Sequence, residues 1–266
     1  MNLTEDGHYF AIQAPPRSGK TTIAKHLEAM INEEGHHYAL YCDLEGLLGV
    51  SDESEAMHRI VDRLFEALSA SKLETLRNLA SVISKEKVIE DNFGYDMDLV
   101  TETLRLACKS LNKDLVVLFD ETDSLSDVPF FMFLHQLKFG HEEKYQIPFP
   151  LCAVLIGERF QRDHKIGDGT SFEYLRMTRP LRFIREILTL SDFTKAEVND
   201  LYARHIDATG QIFHDEAVER AFYWSAGQPW LINALASEAV ENILNNDVDS
   251  PVTAEIMDIA ARNIIM

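Results

Sequence analysis

The sequence is poor in cysteine and contains no long apolar run. Three of its 266 residues are cysteines, Cys42, Cys108 and Cys152, and no two of them have the spacing of a metal site. We therefore expect buried free thiols in a reducing compartment. No apolar run approaches the roughly 20 residues that a membrane-spanning helix needs, and no segment has the pattern of a signal peptide. These absences predict a soluble protein that we expect in the cytoplasm, without a membrane partner.

Basic residues are also scarce. The chain has 25 lysines and arginines against 44 acidic residues, which gives a formal net charge of −19. Because phosphate backbones are bound by Lys and Arg, this charge argues against a broad surface for nucleic acid. A local basic patch stays open in the segment 160–182, whose basic residues are Arg162, Lys165, Arg176, Arg179 and Arg182. Hydrophobic content of 46% and charged content of 26% are ordinary for a globular protein.

A phosphate-binding pattern is present near the N-terminus. An apolar run over 9–13 precedes a compact turn, and Lys20 and Thr21 then open a helical pattern. Such a loop wraps its backbone N–H groups around the phosphates of a nucleotide, at the positive end of a helix. The lysine then reaches the β- and γ-phosphate oxygens, and the Thr21 hydroxyl ligates Mg²⁺. The residues that we predict to bind the nucleotide here are Ala14, Pro15, Pro16, Arg17, Ser18, Gly19, Lys20, Thr21 and Thr22.

One position departs from the usual pattern G-x-x-x-x-G-K-[ST], because Ala14 replaces the first glycine. A chance Gly-Lys-Thr sequence is the alternative interpretation. The strand before the loop, the helix after it and a second motif downstream argue against chance.

The second motif is the apolar run 115–119, which ends in Asp120 and Glu121. It predicts a central parallel strand that places two carboxylates at its C-terminal end. In P-loop enzymes the first carboxylate holds Mg²⁺ and the second polarises the attacking water. Asp120 is therefore the predicted metal residue, with Thr21, and Glu121 the predicted base. A strand that ends in a solvated acidic turn is the alternative.

Alternating strand and helix patterns predict an α/β domain over 1–191, followed by an all-helical lid domain over 192–266. The predicted strands are 9–14, 38–43, 115–120, 151–156 and 186–190, and the predicted helices of the first domain are 20–33, 53–89, 97–111 and 129–139. The strand 38–43 is apolar enough to be buried on both faces. In the second domain, Thr194 and Glu197 form a capping box, and helices are predicted over 195–208, 215–225, 229–245 and 253–264.

Two further polar groups follow predicted strands. Asp43 and Glu45 end the second strand and could approach the nucleotide, although a solvated turn is the more ordinary interpretation. Arg159 follows the fourth strand, where it could contact a γ-phosphate or pair with Glu158 instead.

With these motifs in this order, the chain resembles the AAA+/STAND branch of P-loop ATPases, and more narrowly the prokaryotic AAA-like ATP-binding proteins related to the archaeal ATPase family. The segments that carry the resemblance span nearly the whole chain: YFAIQAPPRSGKTT (9–22), VVLFDE (116–121), LIGERF (155–160), LSDFTKAEVNDLYARHIDATGQIF (190–213) and GQPWLINALA (227–236). The resemblance implies a parallel sheet of order 5-1-4-3-2 with helices on both faces, followed by the helical lid.

The resemblance also implies roles for single residues. Lys20 and Thr21 would act on phosphate and Mg²⁺, Asp120 on Mg²⁺ and Glu121 on water. Arg159 matches an arginine that senses the γ-phosphate. Pro229 lies in Gly227-Gln-Pro, which matches a Gly-x-Pro motif whose proline contacts the base.

The leading functional expectation is an ATP-hydrolysing molecular switch whose lid responds to the bound nucleotide. The alternatives are a nucleotide-binding interaction module with little turnover, a P-loop kinase acting on a small molecule, and a nucleic-acid motor, which the charge disfavours. The expected small-molecule partner is ATP or ADP. Relatives of this kind usually continue beyond the last helix seen in this chain, so we also expect either a protein partner or a further domain of a longer chain. An oligomer is also possible on this interpretation.

Overall fold

The structure, a computed structural model, describes residues 7–83, 98–158 and 183–265. The described strands are β1 (Tyr9–Gln13), β2 (Tyr38–Asp43), β3 (Leu115–Asp120), β4 (Cys152–Gly157) and β5 (Ile184–Thr189). The helices that accompany them are α1 (Lys20–Glu34), α2 (Glu53–Ala70), α3 (Glu74–Val82), α4 (Leu99–Ser110) and α5 (Asp127–Glu143). The helices after β5 are α6 (Lys195–Thr209), α7 (Asp215–Ser225), α8 (Pro229–Ser237) and α9 (Ala254–Ile265). Among the described residues, none of the helices has the length and apolar character that crossing a membrane would require.

The five strands form one parallel sheet in the order β2-β3-β4-β1-β5. Read from the other edge this is 5-1-4-3-2, so the predicted topology is confirmed. Strands β3 and β4 lie inside the sheet and every one of their residues is buried. Because all the strands are parallel, their carboxyl ends lie at one edge of the sheet, where ligands bind in open α/β folds.

Strand β2 is an edge strand of the sheet, and it has buried residues on both faces, Ala39 on one and Leu40 and Cys42 on the other. Its tyrosines are only half-buried. Its outer side is covered by side chains of α1: the Asn32 amide donates to the Ala39 carbonyl oxygen at 3.0 Å and accepts from the Ala39 N–H at 2.8 Å. The Glu28 carboxylate accepts from the Tyr41 N–H at 3.2 Å. Apolar content cannot distinguish a central strand from an edge strand that a helix covers in this way.

The helix predicted over 53–89 is interrupted. Helix α2 ends at Ala70 and α3 begins at Glu74, and the rest of the predicted span lies outside the described residues. The Ser71 hydroxyl accepts from the Leu73 N–H at 3.2 Å, a local bond that competes with the helix. The Arg77 guanidinium then donates to the carbonyl oxygens of Ser71 at 2.6 Å and Lys72 at 2.7 Å, which satisfies two groups at the break.

The core of the α/β part packs helices against the sheet. Helix α5 supplies the aromatic residues that the sequence placed over 129–139, and Phe133 meets Phe119 of β3 edge to face at 4.9 Å between ring centroids. Both rings are fully buried. Burial of such side chains contributes about 2–3 kcal/mol each, so this helix is held by packing against the sheet.

Contacts divide the chain into two compact units. The first comprises Met1–Ala14 and Lys20–Thr189, and the second comprises Pro15–Gly19 and Leu190–Met266. In the second unit the Thr194 hydroxyl accepts from the Glu197 N–H while the Glu197 carboxylate accepts from the Thr194 N–H, so the predicted capping box is present. The helix predicted over 229–245 is α-helical only as far as Ser237 and then continues as a π-helical turn, Glu238–Ile243.

Candidate nucleotide-binding site

The turn after β1 is short and leads directly into α1. The Ala14 N–H donates to the Gly157 carbonyl oxygen at 3.2 Å, which fixes the start of the loop to β4. Arg17 and Gly19 have φ values of 63° and 90° in the left-handed region, and α1 begins immediately afterwards at Lys20. Ala14 is not among the residues with positive φ, so its backbone does not require the glycine of the usual pattern.

The loop and the start of α1 contain buried polar groups. Lys20 is only 6% exposed, and its ammonium donates to the Ala14 carbonyl oxygen at 3.1 Å. The Ser18 hydroxyl is buried and has no hydrogen-bond partner within the described part of the chain. The first turn of α1 carries no acidic residue that would offset the positive end of its dipole. Of the remaining predicted residues, Thr21 is half-buried, and Pro15, Pro16, Arg17 and Thr22 are exposed.

Asp120 and Thr21 are brought together at the carboxyl end of β3. The Thr21 hydroxyl donates to Oδ2 of Asp120 at 2.7 Å. The Tyr41 hydroxyl donates to the same oxygen at 3.0 Å, and the Glu121 N–H donates to Oδ1 at 3.0 Å. The Asp120 carboxylate is fully buried. Carboxylate and hydroxyl oxygens are hard donors of the kind that Mg²⁺ prefers, so the two residues predicted to hold the metal fit it.

Sequence reasoning missed Tyr41. The register places Asp43 opposite Asp120 and Tyr41 opposite Leu118. Since side chains alternate along a strand, Tyr41 lies on the same face as Asp43 and Asp120. That relation was available once β2 and β3 were known to pair, but it could not be read from either strand alone.

Glu121 has a strained backbone. Its φ of 54° and ψ of 40° are left-handed, a conformation that costs a non-glycine residue about 1–2 kcal/mol. Burial raises the pKa of its carboxyl group above the usual range, and the carboxylates of Asp123 and Asp120 raise it further. Such strain and a raised pKa are typical of residues held for a function.

The turn after Glu121 binds β3 to the end of β4. The Thr122 hydroxyl donates to the Ile156 carbonyl oxygen at 3.0 Å, and Oδ1 of Asp123 accepts from the Glu158 N–H at 3.1 Å. A Cβ at Gly157 would lie 2.5 Å from Oδ1 of Asp123, so only glycine allows this approach. The turn therefore sets where the chain leaves β4.

The polar residues predicted after the second and fourth strands differ in whether the structure describes them. Oδ1 of Asp43 accepts from the Glu45 N–H at 2.9 Å, so these residues form a local turn of the kind considered in the sequence analysis. Arg159 and the basic segment 160–182 lie outside the described residues.

The second unit contains Pro229 at the first position of α8, where its missing N–H costs nothing. Gly227, just before it, has φ of 90°. Arg17 belongs to this unit in the division by contacts, and its guanidinium lies over the Trp230 ring at 4.5 Å from the centroid. At this separation the stack is a cation–π contact.

Comparison with protein-family models and with curated proteins found no match for the sequence. Solved structures do match. Aeropyrum pernix ORC1, solved in complex with DNA, matches 97% of this chain with a TM-score of 0.59 and 15% identity. Thermotoga maritima RuvB, the Holliday junction branch migration motor, matches 98% with a TM-score of 0.52 and 14% identity. A chain of the E. coli MS115-1 HORMA–CdnC–Trip13 complex matches 96% with a TM-score of 0.55 and 12% identity.

These similarities, with the sheet order described above, show that the chain has the fold of the AAA+ P-loop ATPases. It shares this fold with archaeal proteins such as Aeropyrum pernix ORC1 and ORC2. The chain spans 59% of the length of that ORC1 chain, 64% of RuvB and 73% of the chain in the HORMA–CdnC–Trip13 complex.

Proposed function

We propose that the chain binds ATP with Mg²⁺ and hydrolyses it slowly, as a molecular switch of the AAA+/STAND type. The observation that carries the proposal is the convergence of Thr21 and Asp120 at 2.7 Å next to the buried Lys20. Backbone N–H groups in the loop, a buried lysine and a paired hydroxyl and carboxylate are parts that a nucleoside triphosphate with its metal requires.

Each part has a chemical role in this proposal. The ammonium of Lys20 binds the β- and γ-phosphates, and the loop N–H groups and the positive end of α1 bind the remaining phosphate charge. Thr21 and Asp120 hold Mg²⁺, which when bound neutralises charge that develops on the phosphate oxygens. Glu121 orients the attacking water and accepts its proton. Arg159, whose place follows Glu158, contacts the γ-phosphate.

The second unit acts as the lid in this proposal, with its boundary near residue 191. Pro229 contacts the adenine face, so that the lid responds to the bound nucleotide. The switch acts on another protein, on a further domain of a longer chain or on further copies of the chain. This part of the proposal draws on relatives in assemblies: ORC1 was solved with DNA, and the E. coli chain was solved in a complex with HORMA and CdnC. Slow turnover would make a nucleotide-binding interaction module the nearest alternative.

The experiment is a thermal melt with and without Mg²⁺–ATP or Mg²⁺–ADP. A ligand at a hundred times its Kd adds about 2.7 kcal/mol to the free energy of unfolding, which raises Tm by about 5–10 °C for a domain of this size. Lys20→Ala should abolish the shift. Lys109→Ala is the matched control, because Lys109 is an exposed lysine on α4. A wild-type melt that millimolar nucleotide leaves unchanged would refute nucleotide binding.

A further inference from the structure

The ring of Tyr41 is not held in place by close packing on all sides. Its neighbours Leu40 and Cys42 are fully buried, whereas Tyr41 is half-buried and its ring lines a cavity of about 640 Å³ between α1 and α2. A ring that borders a cavity on one side is not held by close packing there. Its orientation depends on specific contacts instead.

Two contacts orient the ring. The Lys25 ammonium lies over it, 5.2 Å from the centroid, and the hydroxyl donates to Oδ2 of Asp120 at 3.0 Å. Lys25 is one turn after Thr21 on α1, so both residues lie on the face of the helix that meets β2 and β3. The same face therefore supplies one hydroxyl to Asp120 directly and holds the tyrosine that supplies the other.

The three donors to Asp120 differ in whether they would also bind the metal. Thr21 gives an oxygen lone pair to the metal in the proposed function, so its position is set by the metal once the metal binds. The Glu121 N–H holds only Oδ1. Tyr41 is then the donor that keeps Oδ2 in place independently of Thr21. A buried carboxylate oxygen without such a donor would be left unsatisfied, and the carboxylate could turn about χ2.

We infer that Tyr41 is a positioning residue, which orients the Asp120 carboxylate for the divalent cation. The inference rests on the proposed function, because it assigns Asp120 to Mg²⁺. Tyr41 itself contacts neither nucleotide nor metal in this inference. Tyr41 should therefore affect how much Mg²⁺ increases the affinity of the protein for the nucleotide.

The chain offers a matched control on the same strand. Tyr38 is also half-buried, its hydroxyl donates to Oδ1 of Asn112 at 2.9 Å, and Lys113 lies over its ring at 5.4 Å. Tyr38→Phe thus removes a hydroxyl in similar surroundings at the opposite end of β2 from Asp120.

The experiment measures the Kd of a non-hydrolysable ATP analogue by calorimetry, in Mg²⁺ and in EDTA, and divides the Kd in EDTA by the Kd in Mg²⁺. Tyr41→Phe should lower that ratio by about tenfold and leave the Kd in EDTA within twofold of wild type, since a hydrogen bond to a charged group is being removed. Tyr38→Phe should leave both values unchanged. Circular dichroism and a thermal melt establish that each variant is folded.

Three results would overturn the inference. Unchanged Kd values in both conditions would show that Tyr41 does not act on Asp120, and a raised ratio would show that its hydroxyl competes with the metal. Equal weakening in Mg²⁺ and EDTA would show a structural role. If wild-type protein binds no analogue under either condition, the proposed function fails first, and this inference fails with it.

Discussion

Gly227, in the second unit, is a position where an added methyl group should lower the stability of the fold. A Cβ there would lie closer than 3.0 Å to the Phe193 carbonyl oxygen, 3.1 Å from the Phe193 carbonyl carbon and 3.3 Å from Cβ of Asp192. The residue also has φ of 90°, which disfavours any side chain. Gly227→Ala therefore combines backbone strain with steric overlap.

Phe193 cannot move away cheaply. Its N–H donates to the Gly227 carbonyl oxygen at 2.8 Å, and the next residue, Thr194, caps α6. Left-handed strain costs about 1 kcal/mol, the lost hydrogen bond about 1 kcal/mol, and displacement of the cap up to about 1 kcal/mol more. We expect Gly227→Ala to lower the free energy of unfolding by about 3 kcal/mol.

Gly210 provides the matched control. It has φ of 77° after α6, in the same unit, but a Cβ there would have nothing within 4 Å. Gly210→Ala should therefore cost only the strain, about 1 kcal/mol. The difference between the two variants isolates the contact with Phe193.

Because unfolding of a chain with two compact units need not be two-state, hydrogen exchange should accompany denaturant unfolding. In Gly227→Ala the backbone amides of α6, α7 and α8 should lose protection from hydrogen exchange. If Gly227→Ala is no more destabilised than Gly210→Ala, the reasoning about this close approach is wrong.

Two further predictions concern titratable groups. Glu121→Gln should retain nucleotide binding and lose phosphate release at steady state, because it keeps the size of the side chain but removes the base; equal loss of binding and turnover would make Glu121 structural. Burial lowers the pKa of His141 to about 4, with Lys144 and His8 lowering it further, so the folded state resists its protonation. The contribution of neutral His141 to stability is complete above the unfolded pKa of about 6.5 and is lost as pH falls towards 4. Between pH 7 and pH 5 the free energy of unfolding should therefore fall less in His141→Phe than in wild type, by about 1 kcal/mol because the ring is partly exposed. Equal decreases in the two proteins would contradict this.

The sheet could be predicted because its signals are local. Each strand is a short apolar run followed by a polar or glycine-containing turn, and the P-loop and the Asp-Glu pair fix two of the strands by their chemistry. The order of the strands came from the resemblance, and the pairing registers confirm it. The capping box at Thr194 is equally local, and it is present.

The missed features depend on specific contacts that a periodic pattern does not contain. The break at Ser71 is held by Arg77, and the contact of Tyr41 with Asp120 joins residues 79 positions apart. The left-handed conformation of Ala226, which ends α7, is forced on a residue that rarely adopts it. None of these could be deduced from periodicity, because periodicity does not specify individual side-chain contacts or backbone conformations.

The covering of β2 by α1 has a consequence for how this protein can associate. The edge of a sheet ordinarily offers free N–H and C=O groups, which can pair with a strand of another chain. Here Asn32 and Glu28 occupy three such groups on Ala39 and Tyr41. Adding a strand at β2 would first break three hydrogen bonds, at about 1 kcal/mol net each, and displace a helix that is packed on the sheet. The helix that begins at the phosphate loop thus also prevents the sheet from growing into a neighbouring molecule at this edge.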